Sequence, residues 1–459
     1  MHKLSLLDLG FIIAESAASP KHVGGLLIFK RPNGAKAGFA RDLYRDLLAS
    51  TEVQPPYNRV LQFSLTAMPV WRESETVNLD EHLFYHRLPR GKGTLPDVYA
   101  FVAELHQPLL DRSRPLWQVH LIDGLSESRF ALYVKMHHAC ADGVTMVRWT
   151  VEALAATADD RELRPLWSNR RRDRDEQEKE RQEQTARSLL AKCFGAGRHL
   201  LSLARLSAMM LLESTKLTRN AISLPFVADR RTPLTGQVTA GRQFATACVT
   251  MDRVRAICGQ TRSTLNHVAL TCLDGALHRY LRDEGVELQR PITIQMPVNL
   301  RQAGDTRSGN KIGIIQVQLS EPTDDPYVRL RNIGFSLRNV RSMIDSVEPE
   351  AIESYTVITA LIGQLAEMFR LSNYLPPAGN TLISNVPGPA DFIYLRGARL
   401  EELHPISTLP PGNLLNITLF SYAGRLFFGL IATDELPHLE RLSGYVGEAF
   451  DDLERSVRC

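Results

Sequence analysis

The chain has few of the features that would assign it at once to a special class of protein. Its six cysteines (Cys140, Cys193, Cys248, Cys258, Cys272 and Cys459) are scattered, with no Cys-x-x-Cys pair. That spacing excludes a disulfide framework and a zinc site, so no metal is expected, and it fits a reducing, cytoplasmic setting. Charge of one sign is also scarce: 54 Lys and Arg against 51 Asp and Glu leave a net +3. A balance so close to neutral lacks the electrostatic footprint of a nucleic-acid binder. Long apolar runs free of charge are missing too. The best spanning candidate, Phe194 to Leu212, contains Arg198, His199 and Arg205 and does not read as a transmembrane helix. Asp8 and Glu15 interrupt the apolar start, which therefore does not read as a secretory signal. No Gly-x-Ser-x-Gly elbow is present, which disfavours a serine hydrolase. No repeat of fixed period stands out.

What remains is a globular composition, 44% hydrophobic and 23% charged over 459 residues, enough for two domains with sizeable cores. Residues 1–165 mix strands and helices. Val23 to Phe29 is a β-rich run, and Leu116 to Ile122 and Phe130 to Lys135 read as a hairpin joined through Asp123-Gly124 and a polar loop. From Gly143 the apolar residues Val144, Val147, Val151 and Leu154 recur at helical spacing. Residues 166–231 form a charged and helical linker. It opens with the mixed run Arg170 to Glu176, and its apolar stretch 188–216 carries Lys192, Arg198, Arg205 and Lys216. Such a stretch packs on its own protein or lies on a membrane surface. In residues 232–459 strands are expected at Phe244–Met251, Ile292–Val298, Ile312–Leu319 and Thr381–Val386. Leu415–Tyr422 and Leu426–Thr433 flank the turn signal Ala423-Gly424. Helices are expected at Asp252–Gln260, Leu265–Arg282, Pro326–Ile344, Pro349–Glu367 and Pro437–Val457.

The stretch that carries chemistry is His137-His138-Ala139-Cys140-Ala141-Asp142-Gly143, an HHxxxDG pattern at a strand-to-helix turn. Along a strand from Phe130, the side chains of Phe130, Leu132, Val134, Met136 and His138 share one face. Ala131, Tyr133, Lys135 and His137 share the other. His138 then ends an apolar row, where burial keeps imidazole neutral and able to act as a general base. His137 is a supporting residue. Asp142 caps the following helix, orients the imidazole or pairs with an arginine, and Gly143 lies where the chain must turn. Two neighbouring strand histidines diverge, so they do not form a metal site.

With these residues in place, the chain resembles the bacterial wax ester synthase/acyl-CoA:diacylglycerol acyltransferase family, nearly end to end. The matching segments are HHxxxDG, Pro115-Leu116-Trp117, Pro297 to Arg301, Ser384-Asn385-Val386-Pro387-Gly388-Pro389 and the opening His22 to Leu26. The resemblance implies an α/β fold of two chloramphenicol-acetyltransferase-like (CoA-dependent acyltransferase) domains. Their mixed sheets would be flanked by helices, with an active-site tunnel at the interface. It implies transfer of a long-chain acyl group from acyl-CoA, as co-substrate with no permanently bound cofactor, to a fatty alcohol or diacylglycerol. His138 would be the base and no acyl-enzyme would form. It adds Asn266, Asn299, Arg301, Ser384 and Asn385 as site or tunnel residues, with Arg301 a candidate partner for Asp142. It also leaves open a peripheral seat on the inner membrane or on lipid inclusions. Two departures stand out: His267 follows Asn266 where the family usually has Asp, and Lys21 precedes His22 where the family usually has Met. The second reads as a surface change. A related enzyme using a carrier-bound donor, or a non-catalytic lipid-binding protein of the same fold, are the alternatives.

Overall fold

The computed structural model describes residues 2–4, 6–64, 68–168, 223, 225–229, 232–299, 312–347 and 349–458. The expected apolar stretch 188–216 and Arg301 lie outside them. In chain order the first half contains β1 (His2–Lys3), α1 (Leu6–Ala14), β2 (His22–Lys30), α2 (Phe39–Leu48), β3 (Arg59–Gln62), β4 (Val70–Glu73), β5 (Leu83–Arg87), α3 (Leu95–His106), β6 (Trp117–Leu125), β7 (Arg129–His137) and α4 (Gly143–Ala153). The second half contains β8 (Arg242–Thr250), α5 (Met251–Thr261), α6 (Leu265–Asp283), β9 (Thr293–Asn299), β10 (Ile312–Gln318), α7 (Pro326–Asp345), α8 (Pro349–Met368), β11 (Thr381–Pro387), β12 (Tyr394–Leu395), β13 (Ala398–Ile406), β14 (Leu415–Tyr422), β15 (Arg425–Thr433) and α9 (Leu439–Arg458).

Two six-stranded mixed sheets organise the molecule, in the orders β12-β13-β2-β7-β6-β5 and β10-β9-β11-β14-β15-β8. In the first, β5 runs parallel to β6 and the other neighbours are antiparallel. In the second, β11 runs parallel to both β14 and β9. The expected mixed sheets flanked by helices are thus present. The division at residue 232 does not follow sheet membership, however. β12 and β13 come from the second half, and β13 pairs with β2 from Arg399–Lys30 to Ile406–Gly24. Trp167, inside the expected linker, is buried and stacks on Trp117 of the first half.

Packing explains the elements. Both faces of β7 are buried, Phe130, Leu132, Val134 and Met136 in one apolar cluster and Ala131 and Tyr133 in another. A strand covered on both sides reads as the continuous apolar run seen in the sequence. The β6–β7 hairpin forms as expected, but its turn is displaced. Asp123 and Gly124 belong to β6, the register shifts between Ile122 and Leu125, and Glu127 and Ser128 take positive φ at the turn. The two sheets meet where β13 crosses β15. A Cβ on Gly429 would stand 2.2 Å from the Pro405 carbonyl oxygen, so only glycine admits the approach. A cavity of about 300 Å³ opens beside this junction, between β2, β7 and β13 on one side and β9, β10, β11 and β14 on the other.

Candidate active site

β7 ends at His137, and His138 is the first residue of the turn that follows. The His138 amide donates to the Lys21 carbonyl at 2.8 Å, which ties the turn to the residue before β2. Its ring stacks on Phe11, centroids 4.3 Å apart, and lines the cavity. Burial pushes its imidazole down to about 4, against the pull of the Asp142 carboxylate, with the charges of His137 and Lys21 adding to the drop. The ring is therefore neutral at physiological pH. His137 turns the other way, as the alternation of a strand requires, and is absent from the cavity wall. It is fully buried, its Nδ1 accepts from the Ala139 amide at 3.1 Å, and its Nε2 stands 3.4 Å from Glu15 Oε1. Burial pulls the Glu15 carboxyl up, but the bond and charge of His137, the Lys21 amide and Arg112 together hold it below the usual range. Glu15 escaped the sequence reading, where it served only as a break in an apolar run.

Asp142 is the N-cap of α4: its Oδ1 accepts from the Thr145 amide at 2.7 Å, and the side chain is buried. That is one of the roles expected for it. Gly143 needs no special turn, because its φ is not positive. Its value is spatial: it lines the cavity, and a Cβ there would meet only Val386 Cγ2, at 4.0 Å. Gly24 on β2 is a matter of close approach, with an added Cβ 2.8 Å from the Tyr133 ring.

The residues from the second half reach the same place by different routes. Ser384 and Asn385, on β11, line the cavity, and the Ser384 hydroxyl is 2.9 Å from that of Thr418. Asn266, in the first turn of α6, is exposed and does not line the cavity. Its Oδ1 accepts from Asn385 Nδ2 at 2.7 Å. His267 next to it completes a capping box with Thr264, donating its amide to Thr264 Oγ1 and accepting the Thr264 amide at Nδ1. It thereby does for the helix start what an acidic residue at that position would do. Asn299 ends β9 opposite Ile312. The proposed pairing of Asp142 with Arg301 falls outside the described residues.

Lys21 corrects the sequence reading. It is not a surface residue but 1% exposed, and it lines the cavity. Its Nζ donates to Ser19 Oγ at 2.6 Å. Burial lowers its pKa, and the Glu367 carboxylate opposes the shift. Position in the sequence gave no hint of this, because residue 21 precedes the strand and the charges that act on it, Glu367 and Arg242, lie far along the chain.

Cys140, inside the motif, has its thiol pushed up to about 12 by burial, with the Asp8 charge adding to the shift, and is unsuited to nucleophilic attack. Among the described residues no group of three or more His, Cys, Asp or Glu side chains is placed to hold a metal ion. None of the described helices is long and apolar enough to cross a membrane.

Residues 4–269 match the family model of the wax ester synthase/diacylglycerol acyltransferase catalytic domain, and residues 308–454 match its C-terminal domain. A probable diacylglycerol O-acyltransferase of Mycobacterium tuberculosis is 32% identical over 454 residues, 98% of each chain. The O-acyltransferase WSD of Acinetobacter baylyi is 30% identical over 467 residues, 99% of this chain and 97% of that one. The wax ester synthase/diacylglycerol acyltransferase from Marinobacter aquaeolei superposes with a TM-score of 0.77 at 28% identity, covering all of both chains. The first condensation domain of the calcium-dependent antibiotic synthetase shares the fold at a TM-score of 0.61 and 13% identity.

Proposed function

The chain belongs to the wax ester synthase/diacylglycerol acyltransferase family and is an O-acyltransferase acting on an alcohol or diacylglycerol hydroxyl, and we propose that His138 is its general base and acyl-CoA its donor. The observation that carries this reading is the position of His138: a neutral, half-buried imidazole on the wall of a largely apolar cavity between the two sheets. There a base is in reach of a hydroxyl whose alkyl chain needs apolar surroundings.

His138 takes the proton of the acceptor hydroxyl, and the alkoxide attacks the thioester carbonyl. The tetrahedral oxyanion collapses with loss of CoA thiolate, which the imidazolium protonates, so no net proton is exchanged with solvent. Direct transfer is favoured over an acyl-enzyme because the half-buried Cys140 stays a thiol and Ser384 is engaged with Thr418. Gly143 and Val144 start α4 at the cavity wall. The positive end of the helix then faces the region where charge develops on oxygen. Glu15 and Asp142 are positioning residues: the first holds His137 behind the motif, the second fixes the helix start. The cavity suits long acyl chains, and a peripheral seat on a lipid surface would supply them.

The test is CoA release by the purified protein from palmitoyl-CoA, followed with a thiol reagent, with hexadecanol or a diacylglycerol as acceptor. Release is expected, and His138→Ala lowers it by about 10²–10⁴-fold. No release above the His138→Ala control with any long-chain acceptor overturns the reading. Release only from a carrier-bound donor moves it to the condensation type.

A further inference from the structure

The polarity of α8 is reversed over its second half. Its buried residues there are Thr356, Thr359, Gly363 and Glu367, polar or small and spaced along one face. The Thr356 hydroxyl accepts the Ile314 amide at 2.8 Å and thereby replaces apolar packing with a hydrogen bond. The outward face carries Ile358, Leu361, Ile362, Leu365, Met368 and Phe369, all exposed, the last two at 65% and 64%. These fall at i, i+3, i+4, i+7, i+10 and i+11, one continuous stripe. Arg370 ends the helix with a positive φ, and the turn beyond adds exposed Leu371, Tyr374 and Leu375. A helix in water hides its apolar stripe and shows its polar one; here the order is inverted. A contiguous exposed apolar surface of this kind marks an interaction site.

Two observations decide what occupies it. First, the stripe is continuous with the substrate cavity. Val357, Ala360, Leu361 and Gln364 line that cavity, and Leu361 is at the same time half exposed, so the cavity reaches the surface at this stripe. Ile13 of α1, the helix that supplies Phe11 to the site and packs against α8, is 72% exposed. A protein partner seated there would close the cavity mouth, whereas a lipid surface would feed it. Second, from residue 358 to 375 the exposed side chains include one base, Arg370, and no acid. An apolar stripe edged by Phe369 and Tyr374 and free of exposed acid suits the interfacial boundary of a bilayer.

We propose that the outer face of α8, from Ile358 to Leu375, is the surface by which this protein docks on lipid, with the cavity mouth held against the layer that carries the acceptor. This rests on the acyltransferase reading above and names where that enzyme meets its insoluble substrates.

The full-length protein is tested by flotation with vesicles of phosphatidylcholine and phosphatidylglycerol, comparing wild type with Leu365→Glu/Phe369→Glu. Neither residue lines the cavity. Vesicle binding is expected to fall by about tenfold or more for each side chain. Turnover of a dissolved short-chain alcohol and short-chain acyl-CoA is expected to stay at the wild-type level, and turnover of vesicle-borne diacylglycerol to drop with binding. Leu365→Met/Phe369→Leu should bind as wild type. Unchanged vesicle binding by the glutamate variant overturns the proposal. So does a wild-type particle of twice the variant's mass with no difference on vesicles, which assigns the stripe to a second copy of the chain. Should the glutamate variant fail to fold, hydrogen exchange of the wild type decides: vesicles must protect residues 358–375, and an unprotected stripe overturns the docking surface. Absent CoA release from palmitoyl-CoA by the wild type with any long-chain acceptor would instead defeat the acyltransferase reading, whatever the vesicles show.

Discussion

The Asn385 side-chain amide donates to Asn266 Oδ1 at 2.7 Å, joining the cavity end of β11 to the first turn of α6. These residues are 119 positions apart, and only one of them faces the cavity. Asn266 therefore acts through Asn385. Asn266→Ala and Asn385→Ala should each lower kcat/KM. In a double-mutant cycle they should couple by about 0.5–1.5 kcal/mol. Strict additivity of the two changes would separate them.

The N-cap geometry of Asp142 makes its two simplest variants diverge. Asn keeps an acceptor for the Thr145 amide, so Asp142→Asn should retain the melting temperature and most of the activity. Asp142→Ala should lose about 1 kcal/mol of stability. If Asp142→Asn proves folded and inactive, the carboxylate has a chemical task beyond the cap.

Because burial holds the His138 imidazole down to about 4, the acid limb of kcat/KM should lie near that value rather than at the ordinary 6.5. Stability moves the opposite way from a salt-bridged histidine. The folded-state values of His138 and of His120, about 3, lie below the unfolded 6.5, and His22 and His106 are lowered as well. The unfolded chain binds these protons first, so stability is full above about pH 6.5 and declines as pH falls toward the folded values. Far-ultraviolet circular dichroism against pH, beside initial rates, separates the two effects.

Lys21 adds a positive charge that opposes protonation of His138. Lys21→Met removes it while keeping the length of the side chain. The acid limb of kcat/KM should move to higher pH, which a purely structural role of Lys21 would not produce. An unmoved limb in a folded variant would remove Lys21 from the electrostatics of the site.

Glu15 has no exposed side-chain surface and faces both His137 and Arg112. Glu15→Gln leaves its shape and removes its charge. A loss of about 1–3 kcal/mol is expected by thermal or denaturant unfolding. The fall in kcat should be smaller than that of His138→Ala, because the base itself remains. Loss as deep as that of His138→Ala in a stable variant would place Glu15 closer to the chemistry.

Much of this was legible in the residues. The alternation along Phe130 to His138 put the two histidines on opposite faces, as a strand must, and a cap was among the roles open to Asp142 before a helical stripe. Strands bounded by turn signals, such as Leu415–Tyr422 and Leu426–Thr433, emerged with nearly the expected ends. Lys21 looked exposed and Glu15 looked incidental for one reason: each is set by groups far along the chain, Glu367 and Arg242 for Lys21 and Arg112 and His137 for Glu15.

The sequence by itself determined the local periods, the cap at Asp142 and the turn that carries His138. These follow from backbone geometry and side-chain chemistry within a dozen residues. Through motifs spread from His22 to Pro389 it also determined the family. Tertiary structure alone decided that β13 would cross into the first sheet, that Lys21 would be buried at the cavity wall and that the apolar side of α8 would face outward. Burial is a property of what packs against a residue, and for these three the packing partners lie far along the chain.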